Sequence, residues 1–221
     1  MFFDSILFDL DDTLHDRNRS LIKFIDIFIL KYCLVMENSI DFNIKNIFLE
    51  IDRRGYRPRE EMLKELQNRI SWVNKPNIQE LLEFWNSEFP ICAEPMPDLY
   101  RTLDYFREKN VKMGIVTNGG SLFQHTKIEK LDLGKYMKSI IISEEISMRK
   151  PDKRIFLYAL AQLESEGNST IFVGDSPSLD IKGAIDAGLV SVWLKNGEAW
   201  DNYDYRPNYI ISNISELINL R

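Results

Sequence analysis

The stretch Ser5-Ile6-Leu7-Phe8-Asp9-Leu10-Asp11-Asp12-Thr13 decides how this chain is read. A short apolar run, Ser5 to Phe8, stops abruptly at an acidic cluster, Asp9 to Asp12. A strand buried on both faces of a parallel sheet has this character, turning polar where it reaches the sheet's edge. Ser5–Phe8 is therefore expected to be the first strand. If side chains keep alternating beyond it, Asp9 and Asp11 project to the same side and two carboxylates share one small volume. Like charges that close are unfavourable unless a proton or cation compensates them, and Mg²⁺ prefers hard oxygen ligands while leaving positions for a phosphate. With a metal there, one carboxylate can attack phosphorus while the other protonates the leaving oxygen and then accepts a proton from water. Taken alone, the acidic segment reads equally well as a loop capping the next helix.

Outward from this segment the pattern becomes helical from about Arg19 to Glu88. Apolar residues recur near a 3.6 spacing at Ile44, Ile47, Phe48 and Ile51, and again at Met62, Leu66 and Ile70, with breaks at Gly55 and Pro76. An all-helical insertion over residues 16–87 is expected. Beyond Pro90 helix and strand alternate, with strands at Val111–Val116, Ser139–Ile142, Thr170–Val173, Val190–Leu194 and Tyr209–Ile211. The helices between and after them fall at about Leu99–Lys109, Leu122–Leu131, Lys153–Leu163, Ser178–Ala187 and Ile214–Leu220. This order implies right-handed crossovers: an α/β fold with a Rossmann-like, doubly wound parallel sheet over residues 1–15 and 88–221. Ligands of such sheets bind beyond the carboxyl ends of the strands, so the polar residues that follow each strand are the candidates for function.

Three further segments meet that criterion. The second strand runs into Thr117-Asn118-Gly119-Gly120, where a hydroxyl, an amide and free glycine N–H groups could cradle a phosphate, although the tetrapeptide alone is a turn signal. Lys150 precedes a helix whose first turn suits Pro151, and could reach the cleft as a point charge, although a lone lysine there is more often a solvated surface residue. The strand from Thr170 runs into Gly174-Asp175-Ser176-Pro177-Ser178-Leu179-Asp180, adding two carboxylates at the edge that holds Asp9, with capping by Ser176 or Ser178 as the competing reading.

Composition narrows the classes. With 221 residues, 44% of them hydrophobic, the chain can bury a full core and lacks the signature of disorder. A net charge of −6 argues against a nucleic acid polymer as partner, while a small anion needs only a local positive site. Cys33 and Cys92 have neither metal-ligand spacing nor a disulfide framework, which suits small buried apolar roles in a cytoplasmic setting. The N-terminus lacks the pattern of a signal peptide, and the most apolar run, Leu21 to Met36, carries Lys23, Asp26 and Lys31, too many charges for a membrane span.

In combination the four segments resemble the haloacid dehalogenase-like (HAD) superfamily: Asp-x-Asp-x-Thr, a strand-end Thr, a Lys, then Gly-Asp with a further Asp, all present in order. The match covers Phe8–Thr13 and Met113–Ala187, and the helical insertion corresponds by position to a C1-type cap. The resemblance implies a Mg²⁺-dependent phosphatase of a small phosphorylated metabolite, acting through an aspartyl-phosphate. It implies Asp9 as nucleophile and metal ligand, and Asp11 as general acid/base that binds the metal through its main-chain carbonyl. Thr117 and Lys150 are implied as phosphate binders, Asp175 as a direct Mg²⁺ ligand and Asp180 as a ligand or its support, and the strand-end amide of Asn118 is a further candidate for phosphate. Asp12 stands where many members have Gly, as in several phosphatase and nucleotidase branches. Asp11 disfavours a dehalogenase or a phosphonate hydrolase. A phosphomutase would keep every motif, and a non-catalytic module on the same scaffold is the remaining alternative. In the insertion, Arg53-Arg54-Gly55-Tyr56-Arg57-Pro58-Arg59 could contact the leaving group, with Arg57 as the candidate, or be a solvated basic turn. His15 could line the entrance or be structural, while His125, Trp193 and Trp200 have surface or packing roles. Either a monomer or a homodimer fits.

Overall fold

The computed structural model describes residues 3–32, 39–55, 57–72, 74–201 and 203–220, so Cys33 and Tyr56 lie outside the described residues. The chain divides into two compact units, Met1–Asp16 with Pro95–Arg221, and Arg17–Glu94.

The first unit is built on six parallel strands in the order β3-β2-β1-β4-β5-β6. They are β1 (Ser5–Phe8), β2 (Lys112–Thr117), β3 (Ser139–Ile142), β4 (Thr170–Gly174), β5 (Val190–Leu194) and β6 (Tyr209–Ile211). All four residues of β1 and all five of β4 are buried, which is why these segments read as continuous apolar runs with no alternation. In register, β1 sets Phe8 opposite Ile115 of β2 and Val173 of β4. The strand order reverses at β1, so the crevice where an α/β sheet binds ligands opens directly beyond Phe8.

Five helices serve this unit: α5 (Leu99–Glu108), α6 (Ser121–Lys130), α7 (Ser143–Ile146), α8 (Lys153–Leu163) and α9 (Lys182–Asp186). On α8, Ile155, Phe156, Ala159, Leu160 and Leu163 form one buried stripe against Leu7, Val116 and Phe172. The Phe156 and Phe172 rings meet edge to face, 4.8 Å apart, and each buried aromatic contributes roughly 1.5–3 kcal/mol of transfer energy. Asp152, not Pro151, opens α8: its side chain accepts the Arg154 N–H at 2.9 Å. The expected continuous helix from Ser178 is instead a π-helical turn, Pro177–Ile181, running into the short α9. The final segment is a 3₁₀ helix, Ile214–Asn219, opened by a capping box between Asn213 and Glu216.

The second unit holds α1 (Arg17–Tyr32), α2 (Ser39–Asp52), α3 (Arg59–Arg69) and α4 (Ile78–Ile91), and no strand among the described residues. It is packed around rings: Phe24 lies within 4.7–6.2 Å of Phe28, Phe48, Phe84, Trp85 and Phe89, and Trp85 stacks on Phe89 at 4.5 Å. Asp52 is sealed inside this unit between Arg17 at 2.7 Å and Arg59 at 2.9 Å, and the two arginines lie over the faces of Phe89 and Trp85. Burial opposes the ionised form of Asp52, but the two guanidiniums outweigh it and hold the carboxyl below its usual range. Helix α4 continues through Pro90, so the unit extends to Glu94 and past residue 87. No helix among the described residues is long and apolar enough to cross a membrane.

Candidate active site

Asp9 follows β1 directly, and its N–H still donates to the Val173 carbonyl at 2.9 Å, so the sheet's hydrogen bonding fixes where its side chain begins. Asp175 follows β4 in the same way. Asp180 comes from the π-helical turn, whose wide coil is closed by the amides of Asp180 and Ile181 on the single carbonyl of Ser176, at 2.9 and 3.2 Å. That turn presses the Asp180 carboxylate onto Gly174: a Cβ at 174 would lie 2.5 Å from the Asp180 Cγ, so glycine is required there. Asp180 Oδ2 is held by the Ser176 N–H at 2.9 Å, and Ser176 also receives the Leu179 N–H on its hydroxyl.

Three carboxylates thus converge, with one oxygen each from Asp9, Asp175 and Asp180 within 4.8 Å of one another. All three are buried. The Lys150 ammonium enters this group, 2.5 Å from Asp9 Oδ1 and 2.7 Å from Asp180 Oδ1, with 3% of its side chain exposed. Burial drives Asp9 up to about 7; Lys150 works against this, and Asp180 and Asp11 add to it. For Lys150 burial works to lower the pKa, but Asp180 and Asp9 reverse that and hold the ammonium firmly protonated. The three carboxylates offer an all-oxygen donor set, which fits Mg²⁺.

The sequence profile of the haloacid dehalogenase-like hydrolases matches residues 6–194. The chain belongs to that family. Over 154 residues it is 36% identical to the pyrimidine 5'-nucleotidase YjjG of Escherichia coli, covering 68% of each chain. Over 236 residues it is 29% identical to the glyceraldehyde 3-phosphate phosphatase of Methanopyrus kandleri, covering 98% of this chain and 96% of that one. In fold it is similar to the HAD-hydrolase YfnB of Bacillus subtilis, a structure bound to magnesium, with a TM-score of 0.77, 22% identity and coverage of 99% and 98%.

In this haloacid dehalogenase-like hydrolase the remaining sequence candidates take different positions. The Asp11 carboxylate does not join the other three. It receives His15 Nδ1 at 2.7 Å, Gln124 Nε2 at 3.0 Å and Lys127 Nζ at 2.7 and 2.9 Å. Thr117 is buried at the end of β2, where its hydroxyl accepts from Gln124 at 2.6 Å and so keeps its own proton to donate. The Asn118 amide is joined to a main chain: its Nδ2 donates to the Lys150 carbonyl and its Oδ1 accepts the Lys150 N–H, at 3.0 and 2.9 Å. The expected glycine cradle is also partly filled, because the Gly119 N–H donates to Ser143 Oγ at 3.1 Å. Asp12 takes φ 55°, a left-handed conformation that glycine adopts freely and aspartate tolerates. Arg57 lies in the helical unit, where its guanidinium pairs with Glu65 and Glu61.

His15 is fully buried on Asp11, which makes it part of the support of the Asp9–Thr13 loop. His125 is half-exposed and pairs with Glu145 at 2.7 Å. Trp193 is buried and donates its indole N–H to the Asp175 carbonyl at 2.7 Å, holding the loop that carries that carboxylate. Gln124 and Lys127 were missed in the sequence. The signal was there: with Ile128 and Leu131 they complete an i, i+3, i+4, i+7 buried stripe on and just beyond α6, and two polar residues on such a stripe need partners.

Proposed function

We propose that this phosphatase of the haloacid dehalogenase-like family is Mg²⁺-dependent and hydrolyses a small phosphorylated metabolite through an aspartyl-phosphate on Asp9. The convergence of Asp9, Asp175 and Asp180 around the buried Lys150 ammonium carries this reading. An Asp9 oxygen forms a bond to phosphorus as the bond to the leaving oxygen breaks, and Asp11 gives that oxygen its proton. Water then attacks phosphorus and passes a proton to Asp11, releasing phosphate, freeing the Asp9 carboxylate and returning Asp11 to its protonated form. Lys150 and the Thr117 hydroxyl bind the phosphoryl oxygens, and Asn118 acts through Lys150 by fixing its main chain. Mg²⁺ held by Asp9, Asp175, Asp180 and the Asp11 main-chain carbonyl would supply the charge neutralisation that phosphoryl transfer requires.

Selection among substrates is assigned to the helical unit acting as a cap, with Arg57 as the first residue to test. The named activities of the relatives, on a pyrimidine nucleotide and on glyceraldehyde 3-phosphate, make these the leading substrate classes. We further place its work in the reducing cytoplasm, because the spacing of Cys33 and Cys92 carries no disulfide framework. The test is phosphate release across nucleoside monophosphates, sugar phosphates, glyceraldehyde 3-phosphate and phosphoglycolate, with and without Mg²⁺. Metal-dependent turnover of one class that vanishes in Asp9→Asn is expected, whereas turnover surviving that change contradicts the proposal. Arg57→Ala with an unaltered kcat/KM for the best substrate removes Arg57 from the account.

A further inference from the structure

A buried cation stands behind the Asp11 carboxyl. Lys127 is 1% exposed, and its ammonium lies across both oxygens of Asp11, at 2.7 and 2.9 Å. Gln124, one turn earlier on α6 and also 1% exposed, bonds the second of those oxygens at 3.0 Å and Thr117 Oγ1 at 2.6 Å. His15 closes the third side at 2.7 Å. The Lys127 ammonium also lies 4.7 Å above the Phe123 ring. A lysine buried to this degree is tolerated only when paired, and a lysine pair in the interior adds little to stability compared with an apolar residue of the same size. The arrangement does, however, fix direction: donors on three sides leave the Asp11 carboxyl one orientation.

We propose that Lys127 is a positioning residue for Asp11, and that Gln124 couples the acid to the phosphate-binding Thr117, so that proton delivery is registered with the bound phosphoryl group. This inference rests on the assignment of Asp11 as the proton donor. In the first step the Asp9–phosphorus bond forms, the phosphorus–oxygen bond to the leaving group breaks, and the Asp11 proton moves to that oxygen. A phenolate with electron-withdrawing substituents departs without the proton, while an alkoxide needs it. A misdirected acid therefore penalises alkyl phosphates selectively, whereas general damage to the site penalises both.

The experiment measures kcat/KM, which covers the steps through bond cleavage, for p-nitrophenyl phosphate and for an alkyl phosphate substrate. The proteins are wild type, Lys127→Met, Lys127→Arg, Gln124→Met, Asp11→Asn and Asp9→Asn, each with its melting temperature. Lys127→Met should lose about 100-fold on the alkyl ester and only a few-fold on the aryl ester, the scale expected of a misplaced general acid. Lys127→Arg should recover most of the loss, and Gln124→Met should shift the ratio in the same direction. Equal losses on the two esters in both Lys127→Met and Gln124→Met, or a Lys127→Met protein that folds and keeps the wild-type ratio, overturns the proposal. Should Lys127→Met fail to fold, the Gln124→Met ratio decides alone. The underlying reading fails separately, by turnover in Asp9→Asn or by an unchanged ratio in Asp11→Asn.

Discussion

Asn118 and Lys150 are joined by two hydrogen bonds that run in opposite directions, the amide Nδ2 to the lysine carbonyl and the lysine N–H to the amide oxygen. The residue after β2 thereby fixes the backbone from which the Lys150 ammonium reaches Asp9 and Asp180. Asn118→Ala removes both bonds and leaves two main-chain groups to find water, a loss of about 1–3 kcal/mol. Urea denaturation should show it, together with a lower kcat/KM, because the lysine is no longer held against Asp9.

The raised pKa of Asp9 makes the metal-free protein sensitive to pH in an unusual direction. Unfolded, the group titrates near 3.8, and folded, near 7, so between these values the folded state binds more protons. Stability contributed by this group therefore falls as pH rises through that window and levels off above it. Denaturation in a chelator at pH 5 and pH 7.5 should find the protein less stable at the higher pH, and Mg²⁺ should restore more there, where it has no proton to displace. A stability that rises steadily from pH 4 to 7 in chelator contradicts the assignment.

Asp175→Asn removes one of three converging oxygens from the negative set. Loss of groups that only support metal ligands costs 10–100-fold in affinity, so a direct ligand should cost at least about 100-fold. Calorimetric titration with Mg²⁺ reads this without reference to turnover, and wild-type affinity in the variant would remove Asp175 from the metal set.

In the helical unit, Asp52 holds Arg17 and Arg59 together out of water. Replacing it with Asn should cost about 3 kcal/mol at pH 7, because two guanidiniums lose their buried counter-charge. The Asp52 pKa lies below its ordinary value, so its stabilising effect is present above that value and fades as pH falls. The gap between wild type and Asp52→Asn, measured by denaturant titration, should narrow toward pH 3.

The sheet was legible because each strand is an apolar run that ends in a polar residue, and four of the six strands keep the expected bounds at both ends. The rest followed from interactions that no local pattern carries. The π-helical turn at Pro177–Ile181 depends on Asp180 seated against Gly174, a contact between a carboxylate and a backbone six residues before it. Nothing local shows that the Asn118 amide meets a main chain 32 residues away. Lys127 shares a helical stripe with Ile128 and Leu131, but only the fold reveals that its partner across 116 residues is Asp11.

The central claim is covalent, and a rapid acid quench tests it most directly. Asp11→Asn protein mixed with Mg²⁺ and p-nitrophenyl phosphate should accumulate a phosphoenzyme, since the aryl group leaves unaided while the water that must attack next has lost its base. Mass spectrometry of the digested protein should find the phosphoryl group on Asp9. A phosphoryl group on any other residue, or none while p-nitrophenol is released in a stoichiometric burst, contradicts the account.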